Sequence, residues 1–278
     1  MPVAVVTDST SDLPADVAER AGITVVPLNV HFGTEAFRDG VDIRADEFYR
    51  RLVASARLPT TSQPSVGALL ETYQRLARNA EGIVSVHISA KLSGTYNSAV
   101  QAKQEYNGGP VEVIDTQLGS LGLGMAALAA ANAAKAGGTV AQVVQAVQQA
   151  MRDTKFFGVV DTLDYLVKGG RVGKAQAFVG GVLKIKPIIT VHDGAVHPVE
   201  RVRTTQKAID RMVELARENA PASSVGVIHA TTRDVAQALA SRLRDLAPDG
   251  QVLMARFGPV IGTYLGPGAV GVAVVRKA

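Results

Sequence analysis

Apolar positions in the first half of the chain alternate between two textures. Short β-branched runs at Val3–Val6, Ile23–Val30, Ile83–Ile88 and Val111–Ile114 predict strands. Between them the apolar residues recur at helical spacing. Pro14–Ala21 forms one such segment, stopped by Gly22. A second begins near Asp42, with Phe48, Leu52 and Val53 on one face; Val66, Leu69, Leu70, Tyr73, Leu76 and Ala77 make a third, and Thr95–Tyr106 a fourth. Strand alternating with helix predicts a mostly parallel sheet covered by helices.

The pattern changes further on. Residues 118–152 read as two Ala-rich helices split by Gly137-Gly138. Phe156–Val160 predicts a strand, Leu163–Val167 a short helix, and Lys168 to Lys174 a basic glycine-rich loop. Asp193-Gly194 lies between Pro187–Val191 and Val196–Val202, a hairpin signal. Helices follow at 205–219 and 232–246, with strands at 225–230, 252–257 and 269–275. The predicted fold class is α/β with two domains. Residues 1–155 would form a three-layer α/β/α domain with a mostly parallel sheet. Residues 156–278 would form an α/β domain with a mixed sheet. No Pro/Ser-rich linker separates them, so close packing is expected.

Composition narrows the function. The 278 residues are 47% hydrophobic and 19% charged, the balance of a folded chain with a sizeable core. Aromatics make up only 5% and Trp is absent, which argues against a base-stacking nucleic-acid platform. The net charge of +4 is small for this length. With no cysteine there are no disulfides, thiolate metal sites or cysteine nucleophiles. The N-terminus lacks the charged and apolar regions of a signal peptide. The stretch Leu121–Ala136 is interrupted by Asn132 and Lys135 and is too short to span a bilayer. A cytoplasmic protein with no stable membrane insertion is expected.

Three segments are crowded with hydroxyls: Thr7-Asp8-Ser9-Thr10-Ser11, Thr60-Thr61-Ser62-Gln63-Pro64-Ser65, and Ser89 to Ser98. Each opens a helix, and the first and third follow a strand. In parallel α/β sheets ligands bind beyond the carboxyl ends of strands. Helix starts there offer free N–H groups to anions. A hydroxyl donates to a carboxylate without adding charge, and Gly94 permits close approach to the backbone. Each turn by itself also has an ordinary explanation, since Ser62, Ser65 or Ser93 would serve as helix N-caps.

Other patterns fail their context. Gly266-Pro267-Gly268-Ala269-Val270-Gly271 fits G-x-G-x-x-G but precedes a strand, so it reads as a tight turn. Asp8-Ser9-Thr10 sits where a phosphatase nucleophile would, without the second aspartate. His31, His87, His192, His197 and His229 lack metal-ligand spacing, and no metal site is expected. The basic loop could grip phosphate through Arg171 and its amides, or simply end a helix. Arg201 and Arg203 alternate on an edge strand, as a solvated face or a docking patch.

Taken together, TDSTSDLP (7–14), TTSQPS (60–65), LSGTYNSA (92–99), LVKGGRVG (166–173), LKIKPI (183–188), VRT (202–204) and GPVIGTYLGPGAVG (258–271) resemble the DegV family of bacterial fatty-acid-binding proteins. The motifs occur in family order along the whole chain. The resemblance implies two α/β domains with a fatty acid near their interface, and a carrier rather than a catalyst, with no catalytic residues. It implies that Thr61 and Ser93 hydrogen-bond the carboxylate, with Ser62, Gly94, Thr95 and Tyr264 around them. It further implies presentation of the lipid to a fatty acid kinase, with Arg203 at the docking face and Arg171 and Arg201 as companions. One departure stands out: family members often carry a histidine where this chain has Tyr264, a larger group that is neutral but still donates a hydrogen bond.

The ligand implied is a long-chain fatty acid such as palmitate, with no other cofactor. At about 0.8 kcal/mol per CH₂, ~14 methylenes contribute on the order of 11 kcal/mol before association costs. Candidates to line the slot are the small side chains of 126–136 and Leu163, Leu166, Phe178, Val179, Val182 and Leu183. Two other readings remain open: a phosphoryl-transfer enzyme related to dihydroxyacetone kinase, for which His87 is the nearest histidine, and a lipid-responsive regulator.

Overall fold

The computed structural model describes residues 2–179 and 185–277. In chain order the first part comprises β1 (Val3–Asp8), α1 (Ala15–Ala21), β2 (Ile23–Val26), β3 (Asn29–Phe32), β4 (Glu35–Arg38), α2 (Ala45–Ala54), β5 (Thr60–Ser62), α3 (Val66–Leu76), β6 (Gly82–His87), α4 (Thr95–Glu105) and β7 (Val111–Asp115). Then come α5 (Leu121–Lys135), α6 (Val140–Asp153), β8 (Thr154–Val159), α7 (Asp164–Lys168), β9 (Lys186–His192), β10 (Ala195–Val202), α8 (Thr205–Arg217), β11 (Ala222–His229), α9 (Arg233–Arg242), β12 (Leu253–Arg256), α10 (Pro259–Leu265) and β13 (Val270–Arg276).

The fold is α/β. One sheet, ordered β2-β1-β6-β7, is parallel throughout. Every residue of β6 is buried, as expected for a central strand with helices on both faces. The other large sheet, β10-β9-β8-β13-β11-β12, is mixed, with only the β11–β12 pair parallel.

A small antiparallel sheet, β4-β3-β5, departs from the sequence pattern. The run Ile23–Val30 is not one strand. Pro27 lacks an N–H for the ladder, the parallel strand stops at Val26, and Asn29 begins a strand of the small sheet. Thr60–Ser62, expected as a turn, pairs with β3 so that Thr61 lies opposite Val30. Its strands are too short and too polar to show an alternation.

Helix α5 carries no polar face and packs against β1 and β6 of one sheet and β8 and β13 of the other. Ala126, Ala127, Ala130 and Ala131 are buried in the core against the parallel sheet and α6, while Leu121 and Met125 pack with the mixed sheet. None of 126–136, expected as slot-lining, lines the cleft described below. Helix α10 is a further element the pattern does not predict, because seven residues are too few to display a helical period. It lies late in the chain yet packs on α2, β3 and β5 of the first part.

Candidate functional site

The hydroxyl turns meet beside a cleft. The turn after β1 brings in Thr10, strand β5 brings Thr61 and then Gln63, and the turn after β6 brings Leu92, Ser93 and Gly94. From the later part come Arg171, Val260, Ile261, Tyr264 and Leu265. The far wall is apolar, with Phe156, Val159, Ile189, Val191, Val196 and Val270 from the mixed sheet. The empty space, open mouth included, is about 920 Å³.

Thr61 and Ser62 are neighbours on one strand, so their side chains point to opposite faces. Thr61 faces the cleft, where its Oγ1 lies 2.5 Å from the Tyr264 hydroxyl. Ser62 faces away, and its Oγ meets His31 Nε2 at 2.9 Å and Asn29 Nδ2 at 3.4 Å. Thr95 is buried behind Ser93, with the two hydroxyl oxygens 2.8 Å apart. Thr95 therefore orients Ser93 and does not line the cleft. Ser93 Oγ also accepts from the Thr95 backbone N–H at 3.3 Å, but the N-cap of α4 is Gly94, so Ser93 is not the helix cap that its sequence position allows. Ser65 caps α3, accepting from the Ala68 N–H at 3.1 Å.

Gly94 is required by packing. A Cβ there would lie 2.9 Å from Gln63 Nε2, so a side chain would force the Gln63 amide out of its place on the cleft wall. Arg171 completes the polar group. Its guanidinium stands 5.0 Å from the centre of the Tyr264 ring. Nη1 donates to Gly169 O at 2.7 Å and Nε to Leu92 O at 3.3 Å, leaving Nη2 without a protein partner among the described residues. A cation is thus fixed beside three hydroxyls at the rim of an apolar cleft. Arg171 was expected with the docking face; it lines the cleft.

The other predicted residues lie elsewhere. Arg201, on edge strand β10, donates to Ala177 O at 2.7 Å and stacks over Phe178 at 4.3 Å. Arg203 is exposed in the bend just past that strand. Leu166 lines the cleft, whereas Leu163, Phe178 and Val179 do not; Val182 and Leu183 lie outside the described residues.

His87 and Asp8 form a closed network away from the cleft. The Asp8 carboxylate takes His87 Nδ1 at 2.9 Å and the Ile88 N–H at 3.1 Å on one oxygen, and the N–H and hydroxyl of Thr10 on the other. Tyr73 donates to Ser85 Oγ at 2.9 Å, and Ser85 lies 2.7 Å from His87 Nε2. These contacts fit a relay in which Tyr73 donates to Ser85, Ser85 to His87 Nε2 and His87 Nδ1–H to Asp8. Both side chains have no exposed surface. Among the described residues no group of three or more His, Asp or Glu is arranged to hold a metal ion.

Thr10 and Gln63, named within the hydroxyl turns but not singled out, stand on the cleft wall; sequence reasoning misses Ser120 there and two buried carboxyls near it. Asp12 accepts from Ser120 Oγ at 2.6 Å and from the Gly258 N–H at 2.8 Å. Burial pushes its pKa well up, partly offset by those bonds, with Asp39 and Asp8 adding repulsion. Burial likewise pushes Asp39 up to about 7, offset by hydrogen bonding from Ser9 and the Val260 backbone and reinforced by Asp8. Both aspartates belong to polar stretches, and nothing in the pattern marks them as buried.

The chain was compared with known proteins. A model of the family described as "Uncharacterised protein, DegV family" matches residues 2–277. A DegV domain-containing protein of Streptomyces coelicolor is 45% identical over 99% of both chains. A solved DegV-family protein of Thermus thermophilus, described by its fatty-acid binding, superposes with a TM-score of 0.92 at 35% identity and covers 100% of both chains. A stearic-acid-binding protein of Eubacterium ventriosum gives a TM-score of 0.89 at 28% identity, over 99% of this chain and 98% of the other. Motif order, fold and full-length similarity agree: the chain belongs to the DegV family.

Proposed function

We propose that the cleft binds one long-chain fatty acid such as palmitate, with its carboxylate on Thr61, Ser93 and Tyr264 and its tail against the mixed sheet. The observation that carries this reading is the convergence of three hydroxyls and the Arg171 guanidinium at the rim of a mostly apolar cleft. A carboxylate taken out of water is costly unless hydrogen-bonded. Hydroxyl donors and a nearby cation meet that need, while the apolar wall takes the methylenes. Fatty-acid binding by the Thermus and Eubacterium relatives supports the same ligand class. Tyr264 stands in the motif where relatives often carry histidine, and its phenol reaches the Thr61 hydroxyl.

On this reading the protein is a carrier without catalytic residues, dividing near residue 155, that presents its lipid to a fatty acid kinase. The exposed Arg203 and the edge-strand Arg201 are the groups offered for docking. Native mass spectrometry and lipid extraction of the purified protein test the ligand. A co-purified acid, or uptake of added palmitate or oleate, supports the reading. Lipid-free protein that takes up neither defeats it.

A further inference from the structure

The head-group hydroxyl of Tyr264 sits on α10, and α10 reaches the first part of the chain through contacts at its start. Its N-cap is Gly258, which has no side chain to cap the helix. The orphan N–H groups are met from another part of the chain. Asp12 accepts from the Gly258 N–H at 2.8 Å, and Asp39 is hydrogen-bonded by the Val260 backbone. Asp12 is also bound by Ser120, a cleft-lining residue at the start of α5. The carboxyls therefore join three things: the turn after β1, the wall of the cleft, and the helix bearing Tyr264.

The arrangement is costly, which marks it as more than packing. Asp12 and Asp39 are 6% and 5% exposed. Asp39 Oδ2 is buried without a hydrogen-bond partner among the described residues, so its lost hydration is left uncompensated. Asp12 and Ser120, bonded to each other, both hold positive φ, at 52° and 51°. Non-glycine residues in such backbone regions concentrate at functional sites. The contact itself is close: a Cβ on Gly258 would lie 3.1 Å from Asp39 Oδ1 and 3.2 Å from Asp12 Oδ1, so both carboxylates would have to give way.

We propose that Asp12 and Asp39 are positioning residues of the lipid site, fastening the start of α10 so that Tyr264 meets Thr61 and Arg171 and the helix closes one wall of the cleft. Neither touches the lipid; both act through α10 and Ser120. The inference rests on the lipid-binding reading, and its test separates the two.

Affinity for a fluorescent long-chain fatty acid is measured for the full chain and its variants, alongside amide hydrogen exchange at Gly258 and Val260. Asp12→Ala and Asp39→Ala each weaken binding by about tenfold or more, the effect of stranding a buried donor. Asp12→Asn restores affinity to within about threefold, because its amide still accepts from Gly258 and can donate to Ser120. Gly258→Ala, which displaces α10 without deleting a buried group, weakens binding like the alanine variants and remains informative should those fail to fold. Asp46→Ala, which cuts the 2.6 Å bridge to Arg256 elsewhere between the two parts, leaves affinity unchanged. Faster exchange at Gly258 and Val260 accompanies each loss. Folded alanine variants and Gly258→Ala that bind as tightly as the parent, with unchanged exchange, overturn the proposal. A parent protein that binds no fatty acid overturns the lipid reading instead, while the exchange data still decide whether the carboxyls fasten α10.

Discussion

Thr61 and Ser62 show how much one position matters. Adjacent on β5, they differ in fate because a strand turns successive side chains to opposite faces. Thr61 meets Tyr264 at the cleft, and Ser62 braces His31 in the small sheet. Removing Thr61 and Ser93 together as alanine should weaken fatty-acid binding by about two orders of magnitude or more, at about 1.5–3 kcal/mol per hydrogen bond to a charged group. Ser62→Ala should leave affinity nearly unchanged. Isothermal titration with palmitate distinguishes the two, and an unaffected double variant removes the hydroxyls from the site.

Asp39 yields a prediction about stability. Its pKa in the folded protein is about 7, raised from the usual carboxylate range by burial. The fold therefore holds the proton more tightly than the unfolded chain does. Its favourable contribution is complete below about pH 4 and is lost as pH rises through about 7. Asp39→Asn should flatten this part of the profile and stabilise the protein at pH 8 by an amount on the order of a few kcal/mol. Urea unfolding between pH 5 and 8 measures it; identical slopes in parent and variant refute it.

Helix α5 is the element on which both large sheets rest. An amphipathic helix would leave one face in water, but this one places Leu121, Leu123, Ala126, Ala127, Ala130 and Ala131 against protein on all sides. Its small residues set the separation of the layers. Ala127→Leu should therefore overpack the core and cost about 1–3 kcal/mol, seen as a lower denaturation midpoint. The same substitution at exposed Ala141 of α6 should be nearly neutral. Helix α10 is a different kind of element, too short to hold itself and shaped by what receives it.

The two large sheets share a core through α5 and a binding cleft through α10, so they should unfold as one unit. Saturation with a fatty acid at about 100 times its dissociation constant should add ~2.7 kcal/mol. For a chain of this size that raises the melting temperature by about 5 °C or more. Calorimetry should show one transition that moves upward with ligand. Two transitions, of which only one moves, would show that the halves fold separately.

The α/β class, the parallel and mixed sheets and the family were legible in the chain itself. Strand and helix periods are local properties, and the motifs lie in short contiguous runs. The hydroxyl turns were legible for the same reason, as was the suspicion that some of them merely cap helices. What needed the tertiary structure was every question of facing. Pro27 breaks a run that reads as one strand; Ser62 and Thr95 turn away from the cleft, and Arg171 turns into it. Asp12 and Asp39 meet an N–H donated from more than 200 residues further along the chain. Local sequence carries backbone preference, but burial and partnership arise only when distant segments share one space, and the candidate site is made of such meetings.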